Sequence, residues 1–175
     1  MFGYKDKNKK GITFIGLPGS GKSTVGKILA DKLKLNYVDL DMLIFEKEGI
    51  NHHEILKQKG ESELKHLEEK YALELDFNDL IFSPGGSMVY SPSVMEKIKN
   101  ESMVVYLVAS AEDIKKRLGE RLYKDGIIGL ETKGLENVVK ERLPLYEKYA
   151  DFSITTSDLS PEIILNQILK QLNFR

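Results

Sequence analysis

A glycine-rich segment, residues 16–24, reads Gly-Leu-Pro-Gly-Ser-Gly-Lys-Ser-Thr and has the spacing of a phosphate-binding loop. It follows a short apolar run, residues 12–15, and precedes a helical pattern. In this strand, loop and helix order, the glycines free backbone amides to face phosphates, and the helix adds the positive end of its dipole. The alternative is a glycine-rich turn that only caps an ordinary helix.

The loop also carries two side chains that phosphoryl transfer uses. Lys22 can reach the β- and γ-phosphates as a point charge, and the Ser23 hydroxyl can ligate Mg²⁺. The sequence contains neither the Asp-x-x-Gly nor the Asn-Lys-x-Asp segment that is typical of GTPases. We therefore predict a nucleoside triphosphate and Mg²⁺ as the ligands of this loop. The predicted nucleotide contacts in the loop are Gly19, Ser20, Gly21, Lys22, Ser23 and Thr24.

Two carboxylates follow the second apolar run of the chain. Asp39 and Asp41 flank Leu40 at the end of a predicted strand, and a strand spacing of two puts both side chains on one side. One carboxylate could hold Mg²⁺, directly or through water, while the other orients or deprotonates an attacking hydroxyl group. The alternative is structural, with Asp41 as the N-cap of the next helix.

Two further segments supply groups that bind small polar ligands. Residues 83–87, Ser-Pro-Gly-Gly-Ser, end the third apolar run, and their glycines would let a ligand approach backbone N–H groups. Arg142 has a planar guanidinium that can bind both oxygens of a carboxylate. The alternatives are a simple turn for the glycines and a surface ion pair with Glu141 or Glu147 for the arginine.

Several other polar residues have an ordinary explanation. Lys65 and Glu68 are three positions apart on a helical pattern that starts near a glycine, so they can form a solvated helical pair. His52, His53 and His66 lack the spacing of metal ligands, so we expect them to be surface or capping residues.

Short apolar runs alternate with amphipathic helical patterns along the chain. This alternation predicts an α/β fold in three layers (α/β/α), with a parallel sheet covered on both faces and its active site at the carboxyl ends of the strands. The five predicted strands are residues 12–15, 37–40, 80–83, 103–108 and 152–155.

The composition fits one phosphate-loop domain over residues 1–175, with a flexible tail at residues 1–10. The formal net charge of −1 gives no basic field for nucleic acid, and the lack of cysteine suits a reducing cytoplasm. No apolar run approaches membrane-spanning length. Residues 122–134, called the lid segment below, contain three glycines and no clear hydrophobic period. We predict that they form a mobile lid.

Taken together, these motifs resemble shikimate kinase, a branch of the phosphate-loop proteins related to nucleoside-monophosphate kinases. The resemblance spans residues 11–172 and keeps the family's order of motifs. It implies a five-stranded parallel sheet, a monomer, and transfer of the γ-phosphoryl group of ATP to a hydroxyl of the small molecule shikimate in aromatic amino acid biosynthesis.

The family pattern also implies roles for individual residues. By resemblance, Asp41 binds the substrate hydroxyls and is the catalytic base, and Asp39 belongs to the Mg²⁺ shell. Gly86 offers a backbone contact to the substrate, and Arg142 pairs with the substrate carboxylate. Arg117 is similar to the arginine that packs on adenine.

The chain departs from the family pattern at the acceptor site and the lid. Lys65 stands where the family has a second carboxylate-binding arginine, so the charge is kept but the bidentate geometry is lost. The family's third turn glycine is Ser87 here, and either Arg121 or Lys124 could be the catalytic cation of the lid. These changes leave open another hydroxylated acid or polyol as acceptor, or a non-enzymatic ATP-binding regulator.

Overall fold

A sheet of five parallel strands, in the spatial order β2-β3-β1-β4-β5, forms the centre of the computed structural model, which describes residues 9–172. The strands are β1 (Gly11–Ile15), β2 (Asn36–Asp39), β3 (Leu80–Ser83), β4 (Ser102–Val108) and β5 (Phe152–Thr155). The α/β class and the five-stranded parallel sheet are confirmed.

Helices cover both faces of this sheet. The helices are α1 (Lys22–Leu33), α2 (Leu40–Glu48), α3 (His52–Leu73), α4 (Pro92–Glu101), α5 (Ala111–Leu118), α6 (Leu130–Lys133), α7 (Leu135–Tyr149) and α8 (Pro161–Gln171), with 3₁₀ turns at Met88–Tyr90 and Gly119–Tyr123. None of the helices among residues 9–172 is long and apolar enough to cross a lipid bilayer.

Alternating side chains of the strands build two separate cores. In β4, Val105 and Leu107 pack into a cluster with side chains of α1 and α8. Val104 and Tyr106, one residue out of phase, pack into a second cluster with side chains of α2, α3, α4 and α7. Because successive residues of a strand point to opposite faces, the sheet is the middle layer of three.

The second strand ends one residue earlier than the sequence predicts. Leu40 is the first residue of α2, and Asp39 is the N-cap, because its Oδ1 accepts hydrogen bonds from the backbone N–H groups of Asp41 (3.1 Å) and Met42 (3.4 Å). The N-cap is thus Asp39 rather than Asp41. The two carboxylates are not two strand positions apart, since Asp41 belongs to the first turn of the helix.

A long bent helix borders the site. Asn51 and Glu54 form a reciprocal capping box at the start of α3, with hydrogen bonds of 2.9 and 3.0 Å. Gly60 interrupts the helix with a φ of 85°, a conformation that glycine tolerates. The capping box fixes the first turn of α3, and the half beyond Gly60 has its own buried face, which includes Leu64, Leu67 and Tyr71.

Two predicted flexible regions contain ordered contacts. Residues 1–8 of the predicted tail lie outside the described chain, but Lys9 is buried against Asp151 and the backbone N–H of Lys10 donates to the carbonyl of Glu101. In the lid segment, the apolar side chains are buried, namely Leu122, Ile127, Ile128 and Leu130. The mobility of the lid segment stays a prediction.

Candidate active site

A cavity of about 390 Å³ opens at the carboxyl ends of the strands. Its walls come from the loop before α1, the start of α2, the start of α3, the turn after β3, the lid segment and α7. It brings together eight residues that the sequence predicts as functional: Gly19, Lys22, Ser23, Asp39, Asp41, Gly86, Lys124 and Arg142. This is the edge of the sheet where parallel α/β folds bind ligands.

The lysine of the phosphate-binding loop is held in place by its own loop. Lys22 is 9% exposed, and its Nζ donates to the carbonyls of Gly16 and Leu17, both at 3.0 Å. Burial lowers the pKa of Lys22 to about 8, although the negative charges of Asp41 and Asp39 oppose the shift. A bound polyanion would favour the charged ammonium further.

Of the other predicted nucleotide contacts in the loop, Gly19 lies on the cavity wall, whereas Ser20, Gly21 and Thr24 do not. Gly19 has a φ of 75°, and a Cβ there would lie 2.9 Å from Cγ of Leu118, so glycine is required. Ser20 is fully buried, and its hydroxyl has no hydrogen-bond partner within the described chain. Gly21 is the left-handed N-cap of α1, and Thr24 is exposed on the first turn of that helix.

A hydroxyl and a carboxylate meet beside the loop. The Ser23 hydroxyl donates to Oδ2 of Asp39 at 2.7 Å, and the Tyr37 hydroxyl donates to the same oxygen at 3.2 Å. Residues 9–172 hold no cluster of three acidic, histidine or cysteine side chains that could chelate a metal. One hydroxyl and one carboxylate fit Mg²⁺, which proteins bind through few side chains together with substrate phosphates and water.

Asp41 projects into the cavity from the first turn of α2. Desolvation by the surrounding walls, followed by the nearby charge of Asp39, raises the pKa of Asp41, while His52 and Lys22 act in the opposite direction. Because 53% of its side chain is exposed, solvent in the cavity limits this shift. The carboxylate is therefore accessible to a ligand.

His52 is the first residue of α3 and lies against this carboxylate. It is 8% exposed, and its Nδ1 lies 3.5 Å from Oδ1 of Asp41. Its Nε2 is buried and has no hydrogen-bond partner among residues 9–172. From its sequence, His52 is predicted to be an ordinary surface or capping residue, and this contact could not be predicted, because only the turn of the chain between α2 and α3 brings the two residues together.

Arg142 is buried in the cavity wall, with 1% exposure. Its Nη2 donates to the carbonyl of Ile128 at 2.8 Å, its Nε to the hydroxyl of Tyr90 at 3.4 Å, and its guanidinium lies 5.3 Å from the centre of that ring. No carboxylate of the described chain lies within 4.0 Å of it, so the predicted alternative of a surface ion pair is wrong.

The glycine turn after β3 lies directly against this arginine. A Cβ on Gly86 would be 2.9 Å from Nη1 of Arg142 and equally close to Cδ of Pro18. The carbonyl of Gly86 accepts a hydrogen bond from the Tyr146 hydroxyl at 2.7 Å. The turn is therefore held in position, and it leaves space only for a residue without a side chain.

Glu68 is a buried cavity residue that the sequence analysis describes as part of a solvated pair. It is 4% exposed, and the Ser87 hydroxyl lies 2.7 Å from both of its carboxylate oxygens. Burial raises the pKa of Glu68 to about 7, although the Ser87 hydroxyl opposes the shift. Its position one helical turn from the buried residues Leu64 and Tyr71 was the signal that it faces inward.

Lys65 does not reach the wall of the main cavity. Its side chain is 47% exposed, its Nζ lies 3.8 Å from Oε2 of Glu61, and it sits 5.7 Å from the centre of the Tyr90 ring. It lines a smaller adjacent cavity of about 170 Å³ together with Glu68 and Ser87. The described structure therefore leaves Arg142 as the cation nearest to the glycine turn.

The two predicted lid cations occupy different places. Arg121 is exposed, its Nη2 lies 3.4 Å from the carbonyl oxygen of Arg117, and it is not on the cavity wall. Lys124 is exposed as well but lies on that wall, next to Asp125. Of the two, Lys124 is the one that this conformation brings to the cavity.

Arg117 joins α5 to the phosphate-binding loop. Its Nη1 donates to the carbonyl of Gly19 at 3.2 Å and to the Thr156 hydroxyl at 3.1 Å, and its Nη2 donates to the carbonyl of Thr156 at 2.7 Å. The guanidinium thus connects the loop to the segment after β5. Packing of this side chain against adenine stays a prediction.

Comparison with known proteins identifies relatives over nearly the whole chain. A family model described as shikimate kinase matches residues 18–173. Shikimate kinase of Enterococcus faecalis is 34% identical over 163 residues, which cover 92% of this chain and 97% of that protein. Shikimate kinase of a Sulfurihydrogenibium species is 35% identical over 168 residues, with 95% and 99% covered.

Solved structures lead to the same group of proteins. Shikimate kinase from Acinetobacter baumannii in complex with shikimate superposes with a TM-score of 0.83 and 25% identity, and the alignment covers 95% of this chain and 94% of that one. Shikimate kinase from Aquifex aeolicus superposes with a TM-score of 0.72, covering 93% and 95%, and at 24% identity it supports the fold alone.

Proposed function

The chain belongs to the shikimate kinase family, and we propose that it transfers the γ-phosphoryl group of ATP to a hydroxyl group of shikimate. One observation carries the proposal: Lys22, Asp41 and the buried Arg142 all line a single cavity of about 390 Å³. These three groups supply a cation for phosphate, a carboxylate for a hydroxyl group and a cation for an acid.

In the proposed reaction, a hydroxyl oxygen of the acceptor attacks the γ-phosphorus, and the bond between that phosphorus and the departing ADP oxygen breaks. The proton of the hydroxyl passes to Asp41, whose exposed carboxylate supports its role as base. Lys22 offsets the negative charge on the phosphate oxygens. Contacts of Ser20, Gly21, Thr24 and Arg117 with the nucleotide belong to this proposal.

Ser23 and Asp39 would hold Mg²⁺ in this proposal, because their oxygen atoms are adjacent and of the type that the ion prefers. When bound, the ion neutralises charge on the β- and γ-phosphates. Asp39 also caps α2, which fixes the orientation of its carboxylate in advance. The Asp39 carboxylate that would bind the ion is therefore already oriented by the fold.

Arg142 and the backbone at Gly86 would hold the acceptor. The guanidinium offers N–H groups that can pair with a carboxylate, and the glycine turn lies beside it on the cavity wall. The relative from Acinetobacter baumannii, whose structure holds shikimate, supports this acceptor. While it stays beside Glu61, Lys65 would add only a distant positive charge to the acceptor site. Lys124 or Arg121 would act as the cation of the lid.

A coupled assay for ADP release tests the proposal. With ATP, Mg²⁺ and shikimate together, we expect ADP release that EDTA stops and that a Lys22→Met variant lacks. A panel of other hydroxylated acids and polyols runs in parallel, because the position of Lys65 favours a second candidate function with a different acceptor. Release of ADP with another acceptor but not with shikimate would contradict the assignment of substrate.

The proposal also concerns the state of the protein. The cysteine-free sequence suits a reducing cytoplasm, and a cavity formed within one chain suits a monomer with a small molecule as its partner. Light scattering at micromolar concentration would test the monomer directly. A stable dimer would contradict this part of the proposal without affecting the assay for ADP release.

A further inference from the structure

Tyr37 of β2 contacts a residue of the candidate site but does not lie on the cavity wall. Its side chain is half-buried, and its hydroxyl donates to Oδ2 of Asp39 at 3.2 Å. Because Asp39 is on the wall and Tyr37 is not, the tyrosine can affect a ligand of the cavity only through this carboxylate. The proposed function gives Tyr37 no role.

We propose that Tyr37 is a positioning residue of the magnesium site. Its hydroxyl holds Oδ2 of Asp39 next to the Ser23 hydroxyl, so that the two oxygen atoms keep their spacing when the site takes up Mg²⁺. This inference rests on the proposed function, in which Ser23 and Asp39 hold the ion, and it adds the residue that orients one of them.

The helix cap fixes only one oxygen of the Asp39 carboxylate. Oδ1 accepts hydrogen bonds from the backbone N–H groups of Asp41 and Met42, at 3.1 and 3.4 Å. The torsion between Cβ and Cγ of an aspartate is broad, so hydrogen bonds to one oxygen leave the other some freedom. The position of Oδ2 therefore depends on its own donors, which are the hydroxyls of Ser23 and Tyr37.

The two donors to Oδ2 differ in how firmly they are held. Ser23 is exposed on the cavity wall, and the hydrogen of a serine hydroxyl rotates to suit its surroundings. The Tyr37 hydroxyl is carried by a ring that packs against α1, since a Cβ on Gly26 would lie 2.8 Å from Cε2 of that ring. Tyr37 therefore keeps its hydrogen bond to Oδ2 independently of the orientation of the Ser23 hydroxyl.

The strand explains why the tyrosine and the carboxylate meet. Tyr37 and Asp39 are two positions apart in β2, and alternate residues of a strand point to the same face. Their register is fixed by pairing with Ile81 and Ser83 of β3. Partners that hydrogen-bond to metal-binding side chains typically change the affinity for the metal 10–100-fold when they are removed. Loss of the Tyr37 hydroxyl should therefore weaken the hold on the ion.

Calorimetric titration with a non-hydrolysable ATP analogue tests this role without any turnover. The Kd of the analogue is measured in EDTA and with saturating Mg²⁺, and the ratio of the two values reports how strongly the protein holds the ion. We expect the parent protein to bind the analogue more tightly with Mg²⁺. Tyr37→Phe should lower the ratio about tenfold and leave the Kd in EDTA unchanged.

Tyr71→Phe is the matched control for this variant. The Tyr71 hydroxyl also donates to a carboxylate, that of Glu48 at 2.6 Å, but neither residue is on the cavity wall. The ratio of Kd values should therefore stay at the parent value in Tyr71→Phe. An equal decrease in both variants would overturn the inference, because the effect would not depend on the contact with Asp39.

Asp39→Asn separates this inference from the proposed function. If Asp39→Asn lowers the ratio and Tyr37→Phe leaves it unchanged, the inference is overturned and the proposed magnesium site stands. If Asp39→Asn leaves the ratio unchanged as well, both fail. A weaker Kd in EDTA for Tyr37→Phe, with an unchanged ratio, shows a merely structural role and also overturns the inference. The identity of the acceptor does not affect the result, because the titration contains no acceptor.

Discussion

Replacing Arg142 by methionine should remove acceptor binding and leave the folded protein intact. Arg142 is 1% exposed, and no carboxylate of the described chain lies within 4.0 Å of its guanidinium. The fold therefore keeps a buried cation that its own carboxylates do not neutralise directly. Such a group lowers stability, and in the proposed function a ligand carboxylate is its partner.

The size of the effect on binding follows from the loss of one buried charge pair. Removing one partner of a buried, hydrogen-bonded ion pair costs about 2–5 kcal/mol in binding. That range corresponds to a loss of about 30- to 5,000-fold in kcat/KM for the acceptor. The KM for ATP should stay within about twofold, because the phosphate-binding loop is untouched and each 1.4 kcal/mol would change affinity tenfold.

Stability should move little or rise. Methionine loses the hydrogen bonds to the Ile128 carbonyl and the Tyr90 hydroxyl, each worth about 0.5–1.5 kcal/mol. Against this loss stands the removal of a buried charge, whose desolvation costs several kcal/mol. We therefore expect a Tm within a few degrees of the parent value or above it.

The assay combines kinetics with thermal unfolding, with and without shikimate. At about 100 times its Kd, a ligand stabilises the folded state by about 2.7 kcal/mol, which for a chain of this size raises the Tm by about 5–10 °C. The parent protein should show this rise and Arg142→Met should not. Leu143→Met, a half-exposed neighbour on the same helix, is the control. A variant that keeps the ligand-induced rise, or that unfolds much earlier than the control, refutes the reasoning.

Three further substitutions test other parts of the site. Lys22→Met should lower kcat by about 10³-fold. It should also raise the free energy of unfolding by about 3 kcal/mol below pH 8, where the parent protein buries a charged amine. This gain should disappear as the pH rises from 8 to 10.5, because above that range the parent amine binds no proton in either the folded or the unfolded state. The raised pKa of Glu68, about 7, predicts that Glu68→Gln and the parent protein have equal free energies of unfolding at pH 4. Above pH 7, where the parent carries a buried charge, the variant should be more stable by about 3 kcal/mol, as measured by urea unfolding. Gly126→Ala should slow turnover, because its Cβ would lie 2.8 Å from the backbone of His52, whereas Gly134→Ala, also at positive φ but in open space, should reduce stability alone.

The parts of the protein that depend on local sequence could be predicted. The strands are short apolar runs, and all five predicted ranges differ from the observed strands by no more than one residue at either end, while residues 80–83 and 152–155 match at both ends. The phosphate-binding loop is a contiguous motif, and the structure brings its Lys22 and Ser23 to the cavity wall. Motifs of this kind can be predicted from sequence because the backbone conformation and the function depend on the same few neighbouring residues.

Side chains that acquire a role by packing were harder to predict. Asp39 and Asp41 differ only in position, yet the hydrogen bonds of the first helical turn make Asp39 the cap and leave Asp41 free for a ligand. Burial of Glu68 and His52 depends on contacts with residues 19 and 11 positions away, Ser87 and Asp41. Pattern and spacing within one element carry no information about such partners.

The two departures from the family pattern at the acceptor site, Lys65 and Ser87, line one small cavity together with Glu68. The Nζ of Lys65 lies beside Glu61, and the hydroxyl of Ser87 approaches both carboxylate oxygens of the buried Glu68 at 2.7 Å. A third turn glycine could not make that contact, because it has no side chain. The Ser87 hydroxyl therefore lowers the pKa of Glu68 against the effect of burial and favours the charged carboxylate at this position.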